Sequence, residues 1–293
     1  MANAVDPAKI PQNPNRRPAG GKADAEFVQA HYDVSDAFYA LFLDPSMTYS
    51  CAKFDTPQST LAEAQRAKID LSLGKCDLRA GHTLLDIGCG WGATAARARE
   101  RYGVKVIGLT LSQTQFEHDQ ALAAANPGLE FRLQGWETFD QKVDRIVSIG
   151  AFEHFGRAKY PEFFAKCRAL LPADGIMLLH TITAGKPSQD WDFLRFAHFI
   201  ATEIFPGGDV PAPEAVVSSA RAANFEVVHV ESLRPHYART LDCWAANLKA
   251  REAEALALVG EKVVARYMKY LTGCAPLFRS GECNLHQFRL HVA

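Results

Sequence analysis

Three glycines at alternate positions, Gly88, Gly90 and Gly92, follow an apolar run ending Leu84-Leu85-Asp86-Ile87 and precede a helix-forming segment. Without a Cβ, glycine lets backbone N–H groups approach a ligand closely, and the helix that follows offers its positive end. The stretch reads as a nucleotide-binding turn. A dinucleotide fingerprint would run G-x-G-x-x-G with an acidic residue about 20 positions later. Here the glycine spacing differs, the acidic Asp86 precedes the first glycine, and the next strand ends Gly108-Leu109-Thr110-Leu111. A glycine-rich strand-to-helix turn that binds nothing is the plain alternative.

Other residues offer chemistry but no local motif. Glu153 follows a predicted strand, where a carboxylate makes an odd core residue because charge is rarely buried unpaired. His180, at another strand end, is on sequence alone as well explained by a satisfied core position. Cys51 with a distant histidine would allow a thiol nucleophile, although nothing around it resembles a cysteine hydrolase. Trp136 fits core packing equally well, and Tyr237 beside Arg234 and His236 fits ordinary surface polarity.

These residues need a frame, and the hydrophobic pattern supplies one. Strands are predicted at 83–87, 104–109, 130–133, 143–149 and 176–181, with helices at 93–102, 113–125 and 161–171 between them. The alternation argues for an α/β fold, a parallel sheet doubly wound with helices on both faces, which binds ligands beyond the strand C-terminal ends. Before this core, apolar residues from Phe27 to Phe42 suggest a short helical pair with Ser35 as a cap. Thr60 and Glu63 then form a capping box for a helix at 61–73. After it come a loop at 185–188, helices at 191–204, 213–223, 236–258 and 260–271, a strand at 225–230, and a last half-buried strand marked by Phe288, Leu290 and Val292. Residues 1–24, rich in proline, glycine and basic side chains, read as a flexible tail. The expected organisation is one domain over 25–293: a helical lid at 25–79, a cofactor-binding core at 80–183, and substrate-side insertions and final strands at 184–293.

Composition excludes several classes. With 48% hydrophobic residues and a net charge of −1, the 293-residue chain is ordinary globular material with no global field for nucleic acid. Seven cysteines without a C-x-x-C pair argue for reduced thiols, a cytoplasmic location and no structural metal site. No apolar run approaches the length of a membrane span, which leaves peripheral lipid contact open.

Asp-x-Gly-x-Gly-x-Gly resembles the first motif of S-adenosylmethionine-dependent methyltransferases. The strand ends narrow this: Leu109-Thr110-Leu111-Ser112-Gln113-Thr114-Gln115, Gln134-Gly135-Trp136-Glu137, Gly150-Ala151-Phe152-Glu153-His154-Phe155-Gly156 and Leu179-His180-Thr181-Ile182. Together with Tyr49-Ser50-Cys51, Thr202 to Gly208 and Arg234-Pro235-His236-Tyr237, the chain from about residue 28 onward resembles the cyclopropane fatty acid synthase family, and within it the mycolic acid cyclopropane synthases and methyltransferases. The resemblance implies a class I methyltransferase fold with S-adenosylmethionine as cofactor. Gly88 and Gly90 would lie at its methionine part, with Tyr49 and Ser50 as a lid. Thr110, Leu111 and Gln115 would lie on the ribose side, and Trp136 and Glu137 on the adenine side. Cys51, Ile149, Glu153, His180 and Tyr237 would form a bicarbonate site beside the transferable methyl.

The implied substrate is a long unsaturated acyl chain, presented on an acyl carrier protein or a lipid. Methyl transfer to a cis alkene leaves a carbocation, and bicarbonate removes a proton from the new methyl to close a cyclopropane. Tyr49, Phe152 or Tyr237 could face the cation. Hydroxylating relatives tend to carry a glutamate three positions before the catalytic one; Gly150 there favours ring closure. The segment 184–195 is shorter than the corresponding insert of the mycolate enzymes. Methyl branching or hydroxylation, methylation of a small amine or carbon acceptor, and a non-catalytic cofactor- or lipid-binding module stay open as alternatives.

Overall fold

The computed structural model describes residues 35–293, so the expected tail and the first member of the helical pair lie outside the described residues. At its centre is one seven-stranded sheet in the order β3-β2-β1-β4-β5-β7-β6. Its strands are β1 (Thr83–Ile87), β2 (Lys105–Thr110), β3 (Leu129–Leu133), β4 (Arg145–Ile149), β5 (Ile176–Ala184), β6 (Phe225–Ser232) and β7 (Cys283–Val292). β1 to β5 pair in parallel, whereas β7 inserts antiparallel between β5 and β6. The sheet is therefore mixed and not wholly parallel. From β1 the chain winds outward through β2 and β3, then returns to β4 on the other side. This is the reversal at which doubly wound sheets bind ligands.

Leu85, Ile107, Ile146, Met177 and Leu179 on one face and Leu84, Val106, Val147 and Leu178 on the other are all buried, as befits strands covered on both sides. Crossover helices Ala93–Tyr102, Gln113–Ala125 and Tyr160–Leu170 supply that cover.

Further helices complete the fold. Among the described residues the chain begins with a single turn, Asp36–Tyr39. Ser35 occupies its cap position but makes no side-chain bond. What holds this turn is aromatic: Phe38 meets Tyr267 edge-to-face at 5.0 Å, and the Tyr39 and Tyr267 hydroxyls share a 2.9 Å hydrogen bond. Such ring pairs are each worth about 0.5–1.5 kcal/mol beyond their burial.

Helix Leu61–Gly74 begins at the predicted capping box, with Glu63 N donating to Thr60 Oγ1 and Thr60 N donating to Glu63. Helix Trp191–Phe199 runs into a π-helical turn, Ile200–Ile204, and Pro213–Ala222 starts on its proline. The long C-terminal helical region divides at Arg251, into Arg234–Ala250 and Glu252–Ser280, and kinks at Gly260, where φ is +75°. Gly260, with φ +75° and ψ 166°, is non-helical and separates two helices as predicted, while the division at Arg251 is an additional one. β7 is also longer than Phe288-Leu290-Val292 alone suggests. No helix among the described residues is long and apolar enough to cross a membrane.

Candidate active site

The glycine turn does what its composition promises, but its glycines serve different neighbours. Gly88, Gly90 and Gly92 all have positive φ, a region costly for residues with a Cβ. A Cβ on Gly88 would stand 2.4 Å from that of Ala151, so this glycine lets the β1 and β4 ends approach each other. A Cβ on Gly90 would meet nothing within 4 Å. Gly90 therefore borders open space, where a ligand can reach the backbone.

That space is a cleft lined by the turn, Tyr49, Ser50, Thr110, Leu111, Gln115 and Trp136. Thr110 Oγ1 donates to Gln115 Oε1 at 2.7 Å, tying the end of β2 to the helix after it. Trp136 has neighbours on two sides. It packs edge-to-face on Phe163 at 5.2 Å and still lines the cleft. Glu137 stands beside the cleft, its Oε2 2.6 Å from where a Cβ on the cleft-lining Gly135 would sit. Its carboxylate is held by Lys159 at 2.9 Å, a pairing set by a residue 22 positions away. Asp86 lines the cleft with Oδ2 buried and unpartnered, and burial pushes its carboxyl up to about 7.

Sequence reasoning missed Lys68. Fully buried on the helix Leu61–Gly74, it lines the cleft and donates to Ser50 Oγ at 2.8 Å. Burial lowers its pKa to about 8, against the pull of Cys51, Asp44 and Asp86. The only sequence signal is a polar stripe, Gln65, Lys68 and Ser72, on a face that helical spacing makes continuous.

Behind the cleft lies a second, mostly apolar cavity of about 330 Å³. The two share Tyr49, Ser50, Gly150 and His154. Cys51, Glu153, His180 and Tyr237 all line the second cavity, though the sequence separates them by as many as 186 positions. Ile149 does not join them. As the last residue of β4 it faces the cleft, and Gly150 after it is the one that borders both spaces. Phe152 is not a wall of either space: it is fully buried and stacked on Tyr160 at 4.2 Å. Tyr49 and Tyr237 are the aromatic candidates that remain beside the cavity.

Two polar atoms in this cavity wall are orphaned. Glu153 accepts from the Ile182 N–H through Oε1, while Oε2 is buried without a partner. His180 Nε2 is likewise buried and unpartnered. Desolvation pushes the Glu153 carboxyl up to about 7, holds His180 far below its ordinary value, and brings neighbouring His154 down to about 4. Buried polar atoms in native proteins are nearly always paired, so orphans converging on a cavity point to a polar ligand. Cys51 is no nucleophile. Its Sγ donates to the Ala52 carbonyl at 3.2 Å, and complete burial raises its pKa, which removes the thiolate.

Residues 20–288 match the family described as mycolic acid cyclopropane synthetase. The chain is 56% identical over 272 residues to cyclopropane mycolic acid synthase 1 of Mycobacterium tuberculosis, covering 89% of this chain and 95% of that one. Among solved structures, the cyclopropane synthase MmaA2 from Mycobacterium tuberculosis superposes with a TM-score of 0.90 at 52% identity, over 91% of this chain and 98% of that one. The mycolic acid cyclopropane synthase CmaA1, complexed with SAH and CTAB, gives 0.89 at 54% identity, again over 91% and 98%.

Proposed function

The chain belongs to the mycolic acid cyclopropane synthetase family of S-adenosylmethionine-dependent methyltransferases, and we propose that it closes a cyclopropane ring across a cis double bond of a long, mycolic-acid-type acyl chain. The observation that carries the proposal is the pair of orphaned atoms, Glu153 Oε2 and His180 Nε2, in an apolar cavity that adjoins the cofactor cleft. A simple amine methyltransferase has no need of an anion seat walled by alkyl and aromatic side chains.

The cleft suits the donor. Gly90 leaves backbone exposed to the ligand, Asp86 offers a free carboxylate oxygen for an amine, Lys68 and Ser50 bring a buried cation, and Trp136 a flat apolar wall. When bound, the donor supplies an electrophilic sulfonium methyl: the alkene π pair forms the new C–C bond while the S–CH3 pair stays on sulfur.

The second carbon of the former double bond is then cationic, and the wall residues must keep water from it. Tyr49 and Tyr237 face the cavity with π systems that favour a cation by about 1–2 kcal/mol when desolvated. Cys51, Glu153, His180 and Tyr237 would hold a bicarbonate. Held there, that ion would supply the base for a proton on the new methyl, whose C–H electron pair would close the ring.

At Gly150, where hydroxylating relatives tend to have a glutamate, φ is +69° and no carboxylate is present to hold water. This supports ring closure over hydration. The acyl chain would be presented on a carrier protein or lipid, with its tail along Phe193, Ala197, Ile200 and Leu277. Glu153→Gln tests the assignment: turnover should fall at least a hundredfold with SAH affinity within about twofold of wild type, since catalytic proton handling is typically worth 10²–10⁴-fold. Retained turnover would remove Glu153 from the mechanism.

A further inference from the structure

One row of side chains crosses three strands. Glu231 of β6 stands opposite Gln287 of β7, and Gln287 stands opposite His180 of β5. Directly opposed residues share a face of the sheet, so the row leads from the edge strand to the cavity wall. The helix Leu61–Gly74 and the residue after it lay Ser72 and Lys75 against this row.

Each hydrogen bond in the row has a forced direction. An ammonium can only donate, and Lys75 Nζ donates to Gln287 Oε1 at 2.6 Å and to Glu231. The Gln287 amide is thereby oriented with its oxygen toward Lys75 and its NH₂ inward. Ser72 Oγ donates its single proton to the Lys68 carbonyl at 2.8 Å, so it must accept from Gln287 Nε2, 2.9 Å away. The other amide proton is left for His180 Nδ1, at 3.2 Å. Nδ1 therefore accepts. Desolvation, reinforced by the positive charge of Lys68 and Lys75, keeps the fully buried imidazole neutral. A neutral ring carries one proton, which here must sit on Nε2, the orphaned atom of this cavity-lining residue.

We propose that Gln287, clamped by Lys75 and Ser72, is a positioning residue that fixes His180 as an Nε2–H donor into the cavity. Its catalytic consequence rests on the reading of that cavity as the seat of an oxyanion. Without the clamp the proton can move to Nδ1, and Nε2 then presents a lone pair to the anion in place of a hydrogen bond. The tautomer itself does not depend on what the cavity binds, so the two claims can fail separately.

The test uses the full chain with ¹⁵N-labelled histidine, observed by long-range ¹H–¹⁵N correlation. His180 is assigned by comparison with His180→Gln. The wild type should show the proton on Nε2 from about pH 6 to 8. Gln287→Glu, whose carboxylate can only accept from the ring, should move it to Nδ1 and lower kcat roughly tenfold to a hundredfold, the range typical of partners that orient a ligating histidine. The KM for S-adenosylmethionine should be unchanged, because Gln287 does not line the cofactor cleft. Should Gln287→Glu fail to fold, Lys75→Met frees the amide to turn while touching a less buried position, and it should give a mixture of tautomers. An Nδ1 proton or an imidazolium in the wild type overturns the inference whatever the activity, as does an Nε2 proton that stays in place in Gln287→Glu; a tautomer shift that leaves kcat unaltered removes its catalytic consequence. An Nε2 proton in an enzyme that turns over without bicarbonate upholds the placement of the proton by Gln287 and removes the anion reading instead.

Discussion

Glu153→Gln should make the protein more stable, and by an amount that grows with pH. Folded Glu153 releases its proton at about 7, whereas an ordinary glutamate does so at 4.5, because the cavity wall strips its carboxylate of water. Between those values the native state binds the extra proton, so the Glu153 contribution to stability is fully present below about 4.5 and is lost as pH rises through 7. At about 1.36 kcal/mol per pH unit, the wild type carries a penalty of roughly 3 kcal/mol above that window. Glutamine keeps the volume and still accepts the Ile182 N–H, but it has no charge to bury. Its own unpartnered amide adds a constant offset that does not vary with pH. Asp86 and Asp119, also raised by burial, titrate in both proteins and cancel in the difference. Urea unfolding of both proteins in bicarbonate-free buffers from about pH 4.5 to 8.5 reads the effect. The stability difference should change by about 3 kcal/mol across the series in favour of the variant. A flat difference would show that Glu153 is ionised in the folded protein at ordinary cost, and with it would go the picture of a dry cavity.

Lys68→Met should weaken SAH binding about tenfold by calorimetry, since removing one partner of a buried polar contact costs about 1–3 kcal/mol; an unaltered Kd would make the lysine purely structural. Gly88→Ala and Gly90→Ala should separate folding from binding. The first drives a Cβ against Ala151 and should lower stability by about 1–3 kcal/mol. The second enters open space, should cost about 1 kcal/mol, and should raise the Kd for SAH well beyond that of the wild type. If Gly90→Ala binds SAH normally, the space beside Gly90 is not where the ligand lies.

Strand ends were legible in the sequence because a doubly wound sheet obliges each parallel strand to stop at the same edge, and β1 to β5 all do. The convergence of Cys51, Glu153, His180 and Tyr237 was available only through resemblance, since no periodicity links residues so far apart. Gln287 was hidden by the very alternation that revealed its strand. Phe288, Leu290 and Val292 claim one face, which leaves Gln287 on what looks like the wet one, yet the helix Leu61–Gly74 covers it. Lys68 and Ser72 were obscure for the same reason: a polar stripe on an amphipathic helix reads as its exposed side until a polar row on the sheet is known to lie beneath. Glu137 has a partner that no motif announces. Its neighbour Trp136 lines the cleft, while Lys159, outside any shared motif, pairs with its carboxylate.

The proposed reaction is ring closure by deprotonation of a methylated acyl cation in this cavity. Its most direct measurement incubates the protein with ¹³C-methyl-labelled S-adenosylmethionine and a cis-unsaturated acyl substrate, with and without bicarbonate, and follows the product by mass spectrometry and NMR. The expected product is heavier by one labelled CH₂, with the alkene signal replaced by a cyclopropane methylene, and turnover collapses when bicarbonate is removed. A labelled product that keeps its double bond or gains a hydroxyl, or ring formation indifferent to bicarbonate, would contradict it.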